Sequence, residues 1–358
     1  MKRLREQRRG VTLIELLVVA TIILIVTAAS VPTIKPMMES QLTRQAGSTV
    51  STYLNRARAR AAATGRPCGV TFEHFAGTYD DGGTPDDPTD DFGNASLVLR
   101  QVETPPYYCG LEQGAAVDVY AEDDIYDGDK RLRRIRVVND SYWGAMVGDE
   151  KGAKIQFNGV GPYYPIVVDR SVDPPLFFIE KLPGIDLPIL QNATFKVVRD
   201  PRPTMTAPVG LPQGAVVDLE WSGTDDSSFA LGYLDENDVP RGHNVTVMFS
   251  PDGSVDYVEN NGRFTPTDAI YFLIGRWDRI SALGLDVDDL GEIRPTIEDR
   301  LWNYEDPTNA WVSINPTSGL VTTTEVSSPV DYLVGDAIGG LYESREFARM
   351  SKRNTGGR

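Results

Sequence analysis

Apolar and polar positions follow three different periods along this chain. From Val11 to Val31 there are 21 residues with one charge, Glu15, and no polar face. A helix of that length spans ~31 Å, about one hydrocarbon core. From Leu42 the spacing changes. Leu42, Ala46, Val50, Tyr53, Leu54, Ala57 and Ala61 recur at three- and four-residue steps, while Arg44, Arg56, Arg58 and Arg60 mostly take the other faces. Gly65-Arg66-Pro67 closes this run. The pattern predicts one nearly continuous helix from Thr12 to Thr64, half apolar span and half amphipathic spine, kinked where Pro32 and Pro36 interrupt its hydrogen bonds.

After Gly69 the period becomes two. Gly69–Phe75 alternates as a strand does, and the same signature predicts strands at Ser96–Val102, Arg133–Val138, Lys154–Phe157, Pro165–Val168, Phe177–Lys181 and Phe195–Arg199. Acidic loops rich in Gly and Pro separate them. Four later segments also read as strands or hairpins: Leu211–Leu219, Val245–Val255, Ala269–Ile274 and Trp311–Val321. After Ser328-Pro329, Leu333, Ala337, Leu341 and Phe347 return to roughly helical spacing.

Glu15 is the position that needs a physical reason. A carboxylate inside a membrane span costs roughly 2.5–3.5 kcal/mol even on insertion scales, so such groups are paired and functional. Ahead of it, residues 1–10 are basic, with Lys2, Arg3, Arg5, Arg8 and Arg9 against Glu6. That end stays in the cytoplasm by the distribution of positive charge, and the remainder is exported. A cut after Gly10 would place a new α-amino group at Val11, one helical turn from Glu15 or facing the Glu15 of a neighbour. The two charges can neutralise each other in a helix bundle and set how far one helix slides along the next. A signal peptide cut near Ala28-Ala29-Ser30 competes with this reading, but the apolar run is long and contains Glu15. A plain signal anchor leaves Glu15 unexplained, and a buried soluble helix would need a second, polar face.

The register of basic leader, Gly10, Val11-Thr12-Leu13-Ile14-Glu15, apolar helix and Pro32 resembles the amino terminus of type IV prepilins and type II secretion pseudopilins. The resemblance implies that prepilin peptidase cuts after Gly10 and methylates the amine of Val11, and that Glu15 contacts the amine of an adjacent subunit. Val11 departs from the Phe usual there. The stretch Arg56-Ala-Arg-Ala-Arg-Ala-Ala-Ala-Thr-Gly-Arg-Pro67 before a strand resembles the GspH/FimT type of minor pseudopilin. So do Phe249-Ser-Pro-Asp-Gly253 before a hairpin and Ile314-Asn-Pro-Thr-Ser-Gly-Leu-Val321 near the end. Residues 76–205 and 277–307 fall outside the resemblance and read as insertions, the first too rich in Val, Ile, Tyr and Phe to be a linker.

Composition adds limits. The net charge of −16 becomes −20 once the +4 of residues 1–10 is removed, which suits an exported body and repels nucleic acid and anionic lipid. The 33 Gly and 24 Pro favour a β-rich body. Cys68 and Cys109 can form one disulfide outside the cytoplasm or remain two thiols in strands, and sequence does not separate the two. With His74 and His243 they make no zinc spacing. Asp80–Asp91 holds six Asp in twelve positions, with Asp80, Asp81, Asp86 and Asp87 in two pairs. Ca²⁺ could use such a loop, but the spacing is not that of an EF-hand and a solvated acidic loop is the better reading. Asp286–Glu292 is read the same way. No P-loop, G-x-S-x-G or H-E-x-x-H is present. The basic end (Arg345, Arg349, Lys352, Arg353, Arg358) reads as an exposed, frayed terminus, with a small anion or nucleic-acid contact as the sharper alternative.

These readings converge on an α+β protein: a long amino-terminal transmembrane and amphipathic helix packed on an antiparallel β-sheet body. The expected parts are a cleaved leader at 1–10, a membrane helix at 11–31, a spine helix at 32–64, an exported body at 65–326 and a carboxy-terminal helix and basic tail at 327–358. The expected role is assembly rather than catalysis, without cofactor. By resemblance the chain is a minor pseudopilin, single-pass in the inner membrane with a periplasmic body, later part of a pseudopilus or pilus. Its partners would be prepilin peptidase, other pilins or pseudopilins and the inner-membrane assembly platform. A type IV minor pilin acting in adhesion or DNA uptake is the alternative.

Overall fold

The computed structural model describes residues 13–74, 94–128, 130–148, 152–224, 227–229, 244–260, 262–280, 286–287, 293–294, 302–327 and 337–355. The chain opens with α1 (Leu13–Thr64), continuous through Pro32 and Pro36. It turns at Gly65 into β1 (Cys68–His74) and returns as β2 (Ala95–Glu103). It then leaves to build a second sheet: β3 (Ala116–Val119), β4 (Asp124–Asp127), β5 (Lys130–Val138), β6 (Lys154–Phe157), β7 (Val160–Asp169), β8 (Leu176–Glu180), β9 (Leu190–Ala193) and β10 (Phe195–Val198). A short helix, α2 (Trp143–Val147), precedes β6. The chain returns to the first sheet with β11 (Ala215–Thr224), β12 (Val245–Phe249), β13 (Val255–Glu259), β14 (Ile270–Arg276), β15 (Ala310–Ile314) and β16 (Val321–Glu325). The helix α3 (Ala337–Thr355) comes last.

The main sheet runs β13-β12-β1-β2-β11-β14-β15-β16, extended beyond β13 by Arg263–Phe264. The second runs β10-β6-β7-β8-β5-β3-β9, with β4 beside β5. The pairings within both are antiparallel, as in Cys68 opposite Phe249 on one side and Glu103 on the other. β2 therefore sits at the centre of the main sheet, although it falls inside 76–205, the stretch expected to be an insertion. The inserted sheet is narrower, spanning β3 to β10. β3, β4 and β9 have no counterpart among the expected strands: each is four residues long and contains Asp, Asn or Gln, which are depleted in strands or carry no strand signal.

The second half of α1 packs across one face of the main sheet. Ala46, Val50, Leu54, Ala57 and Ala61 are fully buried there against Val70, Phe72, Val217, Phe272, Ile274 and Val312. Leu42 was expected in this stripe, yet it is 36% exposed. Thr43 is inward instead and donates to the carbonyl of Thr308 at 2.5 Å. At Gly47 the helix comes so close that a Cβ would lie 3.3 Å from Cγ2 of Thr323. Phe72 and Phe272 stack beneath the helix with centroids 4.1 Å apart.

The opposite face of the main sheet is also covered. Tyr271, Leu273 and Trp311 project there and are sealed by Trp221, Tyr304 and Ala348. The indole of Trp311 donates to Ser344 of α3 at 2.9 Å. The guanidinium of Arg345, 3% exposed, donates to the carbonyls of Thr224 at 2.6 Å and Trp221 at 2.9 Å. Arg345 was expected in a frayed basic tail, and it is instead a buried clamp on the sheet. Phe347, expected on the inward stripe, is exposed because Ser344, Arg345 and Ala348 face inward. Arg349 lies on the same helix, as do the backbones of Lys352 and Arg353; Arg358 lies outside the described residues.

The inserted sheet has its own core, centred on Trp143 of α2, which meets the rings of Phe195 and Phe177 edge-on at 5.1 and 5.7 Å. Asp124 holds Arg131 and the buried Arg133, and Arg133 also donates to the carbonyls of Leu187 and Pro188 at 2.8 and 3.0 Å. A buried guanidinium needs this complete set of partners to be tolerated.

Candidate functional site: the amino-terminal helix

Two halves of α1 behave oppositely. From Thr43 onward it is held by the sheet. Between Leu13 and Ile25 its large apolar side chains are exposed, Leu13 at 84% and Leu24 at 70%. Contiguous exposed apolar surface of this extent marks an association site. The unbroken run of described side chains, Leu16 to Ile25, is about 15 Å of helix. Among the described residues no helix is long and apolar enough to cross a membrane. Of the residues expected to act, Gly10 and Val11 lie outside the described residues. Glu15 and Pro32 lie within α1, but their side chains are outside them too.

The far end of α1 is fixed by two turns. In the β12–β13 hairpin, Asp252 accepts from Ser254, and in the β15–β16 hairpin the amide of Gly319 donates to the carbonyl of Asn315 at 2.7 Å. Gly319 has φ +59°, and a Cβ there would lie 1.9 Å from the carbonyl oxygen of Gly253. Arg58 donates to that same carbonyl at 3.1 Å. The Pro-x-Gly and Pro-x-x-Gly turns therefore meet each other and the helix. Arg58, expected on an outer face, is half-buried at this junction, whereas Arg56 is exposed.

The remaining candidates separate. Cys68 is buried with its sulfur 3.6 Å from the hydroxyl of Thr64, and Cys109 is exposed after Tyr108. Both are free thiols, so the disulfide alternative gives way: Cys68 opens a main-sheet strand while Cys109 lies in the connection to the inserted sheet. Burial pushes the Cys68 thiol pKa up, which makes it less reactive. Asp80, Asp81, Asp86 and Asp87 lie outside the described residues, and so do the side chains of Asp286–Glu292. Among the described residues no three His, Cys, Asp or Glu come together as a metal site.

One buried carboxyl was not anticipated. Asp218 is fully buried in β11, where Asn303 donates to it at 2.7 Å and the amide of Glu220 at 3.2 Å. Burial pushes its pKa up to about 7, and Glu220 beside it is raised for the same reason. Asn303 also accepts from the amide of Arg276 at 2.9 Å and receives Asn309 at 3.1 Å. This network ties β11, β14 and the segment before β15 together. The Ser222 hydroxyl joins it, donating to the carbonyl of Asp218 and accepting from the amide of Leu273 at 3.0 Å, so the partners named here are all groups of the fold itself. The only trace in sequence is Asp inside the apolar run Ala-Val-Val-Asp-Leu.

Comparison with known families bears on the apolar half of α1 and the leader before it. Residues 5–31 match the prokaryotic N-terminal methylation motif. That motif is the signal of type IV pilins and pseudopilins, and it implies processing by prepilin peptidase and assembly with other pilins. Proteins so marked are structural subunits, generally without enzymatic activity. Comparison of the whole chain with curated proteins and with solved structures gives no significant match.

Proposed function

We propose that this chain is a minor pseudopilin, a structural subunit of a type II secretion pseudopilus. It would be cut after Gly10, methylated at Val11 and assembled through α1. The observation that carries this reading is the apolar half of α1, exposed on all sides and lying within a methylation motif. Before assembly the sequence's apolar run, Val11 to Val31, would lie across the inner membrane with the body in the periplasm. In the filament, helices of neighbouring subunits would replace lipid, and Glu15 would meet a neighbour's amine. The GspH/FimT assignment is supported by the junction of the two Pro/Gly turns with Arg58, which gives those short motifs a common physical purpose. The rival DNA-uptake pilin loses part of its footing, because Arg345 is spent inside the fold.

Processing tests the assembly reading that pseudopilins and pilins share. Intact mass of membrane-extracted protein should give a chain that begins at Val11 and carries one added methyl group. A start at Val31 would point to ordinary secretion and remove the assembly reading.

A further inference from the structure

Between the two sheets lies a cavity of about 450 Å³ whose lining includes Arg66, Lys154, Arg199, Tyr107, Tyr163 and Tyr257. It opens where α1 turns into β1 and where the chain leaves β2 for the inserted sheet, so both sheets build its walls. The three cations are unusual for a chain of net charge −16. Arg66 donates to the carbonyl of Thr104 at 2.9 Å, and Arg199 to the carbonyl of Pro106 at 3.2 Å. Both partners are neutral, and among the described residues neither guanidinium forms an ion pair with a carboxylate. Nε of Arg199 is buried without a hydrogen-bond partner. That nitrogen has no exposed surface, so a ligand would be met by the terminal nitrogens of this half-buried side chain. Lys154 is exposed at the mouth.

We infer that this cavity receives an acidic, extended peptide segment of a partner protein, its carboxylates meeting Arg66, Lys154 and Arg199. Lys196 lies 3.5 Å from the ring centroid of Tyr107 and Arg263 lies 5.0 Å from that of Tyr257, so each ring already carries a cation on one face, and an extended peptide is the shape whose spaced carboxylates can reach separate cations. Two features select carboxylate over phosphate. Asp256 also lines the cavity, and the fourth cation there, Arg263, is already held by Asp200 at 2.8 Å and Glu259 at 3.1 Å. A doubly charged phosphate would meet those acids with little spare positive charge, whereas spaced single carboxylates match separate cations. The cavity uses none of residues 5–31, so it is independent of the assembly reading above.

The test uses the full chain in detergent and a labelled synthetic peptide of alternating Asp and Ser as the acidic probe. Saturable binding is expected at low salt, weakened about tenfold or more by Arg199→Ala and by Lys154→Ala. Lys154 is exposed, so its variant separates lost binding from lost folding, and unchanged melting of each variant is the control. The same peptide with every Asp replaced by Asn should not bind. Equal binding of that neutral peptide, wild-type binding by both variants, or displacement of the peptide by an equal concentration of inorganic phosphate would each overturn the inference.

Discussion

Single side chains carry unusual burdens on the outer face of the main sheet. Asp218 keeps its proton to about pH 7 in the fold, because burial penalises the carboxylate, but loses it near 3.8 when unfolded. Between those values the native state binds the extra proton, so stability falls as pH rises through that window. Glu220 acts in the same direction. Asp218→Asn keeps the shape and removes the titration. Its melting temperature should therefore decline less than that of the parent between about pH 4 and pH 7, as followed by circular dichroism. Arg345 supplies a second test. Its buried guanidinium satisfies two carbonyls, so Arg345→Met should cost about 2–3 kcal/mol in denaturant unfolding, whereas Glu346→Gln on the exposed side should stay within about 0.5 kcal/mol.

Among the elements, α1 is the one on which the body depends, and its two faces are legible only in part. Ala46, Val50, Leu54, Ala57 and Ala61 follow the apolar period, and the sheet buries them as that period requires. Leu54→Ala should cost about 2–5 kcal/mol through lost burial and a residual cavity. Gly47→Val should cost about 1–3 kcal/mol, since the close approach to Thr323 leaves no room. Arg58 shows where the pattern misleads. Its charge places it outside by any helical-wheel argument, yet its reach brings it to Gly253 in a hairpin distant in sequence. Thermal melts of Arg58→Asp and Arg56→Asp should separate the two, with only the first destabilised. The strands of the inserted sheet were recognisable where β-branched and aromatic residues cluster, as Ile135, Val137 and Val138 do in β5 and Phe177, Phe178 and Ile179 do in β8. Short, polar β4 and β9 form only because β5 and β3 offer them edges.

At the scale of the whole molecule, a compact body carries an apolar helix that it does not cover. The body makes its own core without residues 13–25, so a chain that starts near Gln41 should fold as a soluble unit with a cooperative melt; a molten or aggregated product would contradict that division. Glu15→Ala should leave cleavage after Gly10 largely intact and lower incorporation into filaments, because the amine would lose its partner in a low-dielectric bundle. Quantitative comparison of processed and filament-borne protein checks this, and wild-type incorporation would refute the pairing.

The amino-terminal signal, the extent of α1 and the antiparallel character of the body were determined by the sequence alone. Each rests on local quantities: a run of apolar residues, a charge at a set distance from Gly10, a period of 3.6 or 2. Three features were decided only by the tertiary structure. β2 belongs to the centre of the main sheet rather than to the insertion, because strand neighbours are chosen by pairing across long separations. Arg345 and Arg58 lie inside rather than outside, because a long side chain finds partners that no spacing rule records. And the cations Arg66, Lys154 and Arg199, scattered through 134 positions of the chain, line one cavity because two sheets close around it.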